Sequence, residues 1–179
     1  EVYPGHNFSG AMITPRRRLM TSSPTPAHRA RPTSTALSAV LASLAALFAS
    51  SAQAQMPRME LNAGMHRIEA EVAADMPNRM QGLMHRKSLG TNQGMLFVFL
   101  QAERHCMWMR NTLIPLSVAF LDEAGRIINI ADMQPHSEAN HCAAAPARFA
   151  LEMNQGWFAS RGLRPGQKIG GTEKAPSPR

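Results

Sequence analysis

Gly94-Met95-Leu96-Phe97-Val98-Phe99-Leu100 is a continuous apolar run of strand length. An apolar run without polar alternation is typical of a strand that is buried on both faces. We therefore expect residues 94–100 to form a central strand that anchors the hydrophobic core.

Shorter strand patterns lie on both sides of this run. The turn sequence 122–125 joins two of them into a predicted hairpin. Many short strands with two short helices, near residues 76–85 and 155–161, predict a mainly β fold. We expect one domain, either a β-sandwich or a partly open barrel, over residues 55–171, followed by a flexible tail at 172–179. The other predicted strands are 59–64, 66–72, 106–109, 116–121, 126–131, 148–153 and 167–169.

The first predicted helix begins at Asp75, whose side chain can accept hydrogen bonds from free N–H groups, with Pro77 in the first turn. Met76, Met80 and Met84 recur at i, i+4 and i+8 and so share one helical face. We expect this methionine stripe to face the core. The alternative is a row of thioethers that binds Cu(I).

The apolar segment 36–49 follows Arg29 and Arg31 and leads to Ala52-Gln53-Ala54. This order is typical of a secretory signal peptide cleaved after Ala54, with Ala52 as the second choice. An uncleaved anchor is disfavoured because 14 residues span only about 21 Å as a helix, less than a bilayer core of about 30 Å. The predicted location is therefore periplasmic or secreted, with no stable membrane insertion after cleavage.

Residues 1–19 precede Met20 and are interpreted as an over-extended chain start, so that residues 1–54 are absent from the mature protein. Arg16-Arg17-Arg18 also allows a twin-arginine export signal, although its distance from the apolar segment is long. After Ala54 the chain has 14 Lys and Arg and 11 Asp and Glu, a mild basic bias with no long basic run. Nucleic-acid binding needs clustered basic residues, so that class of function is excluded.

Cys106 and Cys142 are the only two cysteines of the chain. In an oxidising compartment, pairing is the expected outcome. A bridge that closes a loop of about 37 residues contributes about 4 kcal/mol in the chain-entropy model. The alternative is a Cu(I) or Zn²⁺ site built from His105, Cys106, His141 and Cys142. No other cofactor is predicted.

Four motifs in the order 79–86, 94–99, 108–116 and 151–156 resemble the domain-of-unknown-function family 192. The resemblance extends from about Ile68 to Gly170. It implies a mainly β, sandwich-like fold in a frequently exported protein, with no established activity or cofactor. Cys106, just before the third of these motifs (108–116, called the tryptophan motif), is interpreted as a feature of a subgroup.

Trp108, Arg110, Asn111 and Glu152 are the candidate binding residues, with Trp108 as an apolar wall and the others as polar contacts. Glu152 lies in an apolar strand pattern, where burial is costly unless the carboxylate is paired or protonated, and Arg110 or Arg148 is the expected partner. In the alternative interpretation Trp108 belongs to the core and Asn111 forms a turn. The polar segment 134–146 is predicted to be a surface loop.

The motifs of nucleophile elbows, phosphate-binding loops and dinucleotide sites do not occur after Ala54. We therefore expect a monomeric binding or accessory module without catalysis, whose partner is a small ligand or a periplasmic protein. The second hypothesis is a copper-binding or copper-handling protein that uses His, Cys and Met side chains. A hydrolase or carbohydrate-active enzyme is the third, by analogy of fold alone.

Overall fold

The central apolar run forms a long strand in the computed structural model, which describes residues 56–179. The signal segment predicted before Ala54 and its cleavage site lie outside these residues. The strands are β1 (Arg58–Ala63), β2 (His66–Ala73), β3 (Gln93–Glu103), β4 (Cys106–Met107), β5 (Leu116–Leu121), β6 (Ile127–Met133), β7 (His141–Cys142), β8 (Ala147–Asn154) and β9 (Ile169–Gly170). Helix α1 is Met76–Gln81, and Ala159–Arg161 and Thr172–Lys174 are short 3₁₀ turns.

Seven strands form one sheet in the order β6-β5-β8-β3-β2-β1-β9. Strands β2 and β3 are parallel, with α1 in the connection between them, and the other neighbours in this sheet are antiparallel. Strands β4 and β7 form a separate two-stranded antiparallel ribbon.

The large sheet curls until its two ends meet. The backbone N–H of Ile127 donates to the carbonyl of Gln167 at 2.8 Å, and Ile169 donates to Gly125 at 2.9 Å. An antiparallel bridge between Arg126 and Lys168 lies between these bonds. The fold is therefore a partly open barrel in a single, mainly β domain, which confirms one of the two architectures that the sequence predicted.

Both faces of the sheet are buried at its centre. Along β3, Leu96 and Val98 belong to one hydrophobic cluster, whereas Met95, Phe97 and Phe99 belong to a second cluster on the opposite face. The second cluster also contains Met107 and Met109 from the segment that includes β4. Double-sided burial explains why the sequence of β3 lacks polar alternation.

Helix α1 begins as predicted, because Asp75 Oδ1 accepts a hydrogen bond from the N–H of Asn78 at 2.9 Å. The predicted core-facing methionine stripe is wrong: Met76 is 47% exposed and Met80 is 58% exposed. The helix ends at Gln81, so it is too short to carry the pattern as far as Met84. Arg79 occupies the side of α1 that faces the domain.

Arg79 links three parts of the domain. Its Nη1 donates to the carbonyls of Ala74 at 2.6 Å and Val98 at 3.1 Å, and its Nη2 donates to the carbonyl of Arg179 at 3.3 Å. The N–H of Arg179 in turn donates to the carbonyl of Ala74 at 2.8 Å. The segment 172–179, assigned to a flexible tail from its composition, thus makes specific contacts with the end of β2 and with α1.

No helix within residues 56–179 has the length and apolar character needed to cross a membrane.

Candidate functional site

Buried and more accessible residues alternate near the start of the tryptophan motif. Met107 and Met109 are buried in the core, whereas Trp108 is half-buried and Arg110 is exposed. The guanidinium carbon of Arg110 lies 5.5 Å from the centroid of the Trp108 ring. This cation–π contact holds the two side chains together on the outer side of the segment.

Asn111 ends this extended stretch with a left-handed backbone at φ 61°. Asparagine tolerates this conformation better than most residues. The carbonyl of Asn111 accepts a hydrogen bond from the N–H of His85 at 3.0 Å, and the carbonyl of the buried Thr112 accepts one from His136 at 3.2 Å. His85 and His136 also have positive φ values, of 62° and 61°.

The segment 134–142, called the clasp from here on, runs beside the tryptophan motif. The N–H of Met109 donates to the carbonyl of Ser137 at 2.9 Å. Glu138 Oε1 lies 3.8 Å from Nε of Arg110, and both side chains are mostly exposed. Trp108, Arg110 and Glu138 therefore lie together, and with the exposed Asn111, next along the chain, they are called the platform.

The ribbon of β4 and β7 attaches one end of the clasp. Cys106 lies directly opposite Cys142, and their sulfur atoms are 2.05 Å apart, in a disulfide as predicted. Asn129 adds two hydrogen bonds, as its Nδ2 donates to the carbonyl of Cys142 at 3.1 Å and its Oδ1 accepts from the N–H of Ala144 at 2.9 Å.

The disulfide removes both thiolates from the alternative metal set of His105, Cys106, His141 and Cys142. The His105 ring stacks on Phe99 with 3.7 Å between centroids, and His141 lies opposite Met107 in the ribbon. Across residues 56–179, no group of three or more His, Cys, Asp or Glu side chains is arranged to hold a metal ion.

Glu152 is buried in the sheet, 2% exposed, in β8. It lies opposite Met95 of β3 and Val118 of β5. Burial raises the pKa of its carboxyl group, because the charged form loses hydration there. Glu152 is thus the buried carboxyl group that the strand pattern predicted.

Neither arginine predicted as the partner of Glu152 takes that role. Arg110 pairs with Glu138. Arg148 lies over the Phe149 ring, 5.9 Å from the centroid, and its Nη1 is buried without a hydrogen-bond partner. The structure therefore brings Trp108, Arg110 and Asn111 together, and it describes no hydrogen bond or ion pair that joins Glu152 to them.

Sequence reasoning missed Glu138 and the arginines of the first motif, Arg79 and Arg86. Arg86 donates to both carboxylate oxygens of Glu71, at 2.8 and 2.6 Å. The motif 79–86 contains these arginines, but the sequence does not reveal their partners. Arg79 binds backbone carbonyls, including that of Val98 on β3, and Arg86 binds Glu71, 15 residues earlier on β2. Nothing in the sequence linked Glu138 to Arg110, because the two residues lie on separate segments.

A small cavity is lined by Arg58, Glu69, Glu71, Gln93 and Gly94. It has room for about one water molecule. It is therefore too small to serve as the binding pocket for an organic ligand.

The comparisons with known proteins agree with this fold. The family model of domain of unknown function 192, described as "Uncharacterized ACR", matches residues 59–171. A crystal structure from Novosphingobium aromaticivorans DSM 12444, of a protein of unknown function, shares 31% identity with a TM-score of 0.60 and covers 66% of this chain and 88% of its own. One from Sinorhizobium meliloti 1021, called a "putative transcription regulator", shares 35% identity with a TM-score of 0.59 and covers 64% and 92%. No curated protein matches the sequence. The chain belongs to the domain-of-unknown-function 192 family.

Proposed function

We propose that this protein is a non-catalytic binding or accessory module that contacts a small ligand or a partner protein through the platform. The observation that carries the proposal is that Trp108 is only half-buried between two fully buried methionines. Met107 and Met109 are fully buried, whereas Trp108 keeps part of its surface accessible to a partner. Tryptophan and arginine are the residues that most often dominate the energy of binding surfaces.

The second support is the fixed geometry of the platform. Two backbone hydrogen bonds hold Asn111 and Thr112 against His85 and His136, and the cation–π contact holds Arg110 over Trp108. A preorganised surface loses less conformational entropy when it binds. The exposed ion pair of Arg110 and Glu138 adds little stability but offers both charges to a partner.

We propose the periplasm or the cell exterior as the location. The disulfide supports this, because such bonds persist in oxidising compartments. Cell fractionation followed by N-terminal sequencing tests it, and Gln55 is the expected first residue. Recovery of the uncleaved chain from the cytosol would contradict the proposal.

Transcription regulation, suggested by the name of one structural neighbour, is not what we propose. The residues after Ala54 carry 14 basic and 11 acidic side chains, and the basic ones do not form a run. Three of the basic side chains are engaged in ion pairs with carboxylates on β1 and β2. A DNA-binding surface needs a basic patch that is free to contact phosphates.

The experiment compares immobilised wild-type protein with three variants in capture of metabolites and periplasmic proteins. Trp108→Ala removes the aromatic face, and Asn111→Gly removes the amide but keeps the left-handed backbone. Met65→Ala is the matched control, because Met65 is 92% exposed in the turn between β1 and β2. We expect the first two variants to lose a captured species that the control retains, with thermal unfolding midpoints close to wild type.

Unfolding of both platform variants would show that Trp108 and Asn111 serve the fold, and the platform would be abandoned. The same conclusion follows if all four proteins capture the same species equally.

Copper binding is the second candidate, and the β4–β7 ribbon favours it. The ribbon places Cys106 opposite Cys142, so two sulfur ligands lie side by side on one face of it, whereas Met107 and His141 belong to its other face. Because the sulfurs are bonded to each other, Cu(I) would bind only after reduction. Anaerobic titration of Cu(I) into reduced protein, with Cys106→Ser as the control, separates this candidate from the first.

A further inference from the structure

The clasp has no buried side chain. Every residue from 134 to 142 is exposed or half-buried, whereas its two neighbours Met133 and Ala143 are fully buried in the core. Hydrophobic packing therefore fixes the ends of this segment but not the segment itself. Its position depends on a few backbone hydrogen bonds and on the disulfide.

Few of the described hydrogen bonds join the clasp to its neighbours. Within the clasp, Ser137 and His136 each make one backbone contact with the tryptophan motif, and Cys142 receives one bond from Asn129. The β4–β7 ribbon has only two residue pairs, Cys106 with Cys142 and Met107 with His141. A two-stranded ribbon of this length is at best marginally stable by itself.

The disulfide lies at the surface of the domain. Cys142 is exposed and Cys106 is half-buried. Thiol–disulfide exchange requires that a thiolate reach one sulfur, so access favours attack on Cys142. The seven-stranded sheet contains neither β4 nor β7, so its pairing does not depend on this bond.

We propose that the Cys106–Cys142 disulfide is a redox-controlled latch, and that a dithiol reductant releases the clasp from the platform without unfolding the barrel. The biological meaning of the latch rests on the proposed binding function, because the clasp supplies Glu138 to the platform. The carbonyl of Ser137 in the clasp also accepts a hydrogen bond from the N–H of Met109, beside the platform. The oxidised form holds the binding geometry, and the reduced form loosens it.

The exchange proceeds in two balanced steps. A thiolate of the reductant attacks Sγ of Cys142, the Sγ–Sγ bond breaks, and Cys106 leaves as a thiolate that takes up a proton. The second thiolate of the reductant then attacks the reductant sulfur of the mixed disulfide. Cys142 leaves as a thiolate and is protonated. The reductant becomes a disulfide, and the protein gains two electrons and two protons.

The test measures hydrogen exchange by mass spectrometry on the purified full chain, oxidised and after treatment with dithiothreitol without denaturant. Alkylation and intact mass report the free thiols. We expect complete reduction, exchange in residues 134–142 that is about tenfold faster or more, and continued protection of β3 and β8 at labelling times at which the clasp has fully exchanged. A Cys106→Ser/Cys142→Ser variant is expected to match the reduced protein in the absence of reductant.

Three results would each overturn the latch. The cysteines resist dithiothreitol until the protein is denatured; the exchange of residues 134–142 is unchanged by reduction; or β3 and β8 lose protection together with the clasp, which would make the bond a staple of the whole fold. Since exchange is measured without a ligand, the latch can succeed when the platform fails. Capture by oxidised Trp108→Ala tests the platform without any reductant.

Discussion

Glu71 and Glu152 both lie directly opposite Met95, one on each neighbouring strand, and their pKa values move in opposite directions. Two strand spacings place their Cα atoms about 10 Å apart. The hydrogen bonds from Arg86 lower the pKa of Glu71, whereas loss of hydration raises the pKa of Glu152. Two glutamates in one row of the sheet therefore make opposite contributions to the pH dependence of stability.

Glu152→Gln is expected to stabilise the protein increasingly as pH rises. The folded-state pKa of Glu152 is raised above the usual 4.5, so its stabilising contribution is complete below about that pH and is lost as pH rises through the folded value. Urea unfolding of both proteins from pH 4 to pH 8 measures the difference in the free energy of unfolding. Parallel curves would contradict the burial of a neutral carboxyl group.

Arg86→Ala is expected to cost about 1–2 kcal/mol at pH 7, because Glu71 loses two charge-assisted hydrogen bonds in a partly solvated site. Arg58→Ala is the matched control, expected to cost less than about 0.5 kcal/mol, since its contact with Glu71 is 3.5 Å long and its side chain is 52% exposed. Denaturant unfolding measures both. Equal losses of unfolding free energy would show that the two hydrogen bonds from Arg86 to Glu71 do not stabilise the fold more than the single long contact of Arg58.

The Glu71 contribution has the opposite pH dependence. Its folded-state pKa is lowered, so the stabilisation is present above about pH 4.5 and is lost as pH falls through the folded value. Glu71→Gln is therefore expected to differ from wild type most at neutral pH, and the two proteins should converge in acid. A difference that grows on acidification would refute this assignment.

Arg79→Met is expected to cost about 2–3 kcal/mol, because the carbonyls of Ala74 and Val98 lose their hydrogen bonds to the guanidinium in a buried site. Arg79→Lys keeps the charge but not the planar, multi-donor geometry, so it should recover only part of this loss. Thermal and urea unfolding give the ranking. A lysine variant as stable as wild type would show that charge alone is sufficient.

Replacing Met76 and Met80 together with Gln is expected to change stability by less than about 0.5 kcal/mol, because both side chains are substantially exposed. Leu83→Ala is the comparison, expected to cost about 2–5 kcal/mol, since Leu83 is fully buried in the second hydrophobic cluster. Chemical unfolding distinguishes the two. A large loss in the double methionine variant would restore the core-facing stripe.

The sequence by itself determined the class of the fold, the family and most strand positions. Local pattern is enough for these, because a run such as 94–100 is apolar on both faces wherever it is placed. The hydrogen bond from Asn78 to Asp75 is local too, so the start of α1 was predictable. The cysteine pair was predictable because the chain has no other thiols.

Tertiary structure alone decided which face each pattern presents and which distant groups meet. Helical periodicity places Met76 and Met80 on one face of α1, but it does not say whether that face is the one toward the core. The inner side is occupied by Arg79, whose hydrogen-bond acceptors are backbone carbonyls that a side-chain pattern does not reveal. Arg110 pairs with Glu138 and not with Glu152, because the pairing of β4 with β7 places the clasp beside the tryptophan motif. Such contacts join segments that are far apart in the chain, and their physical cause is the path of the backbone.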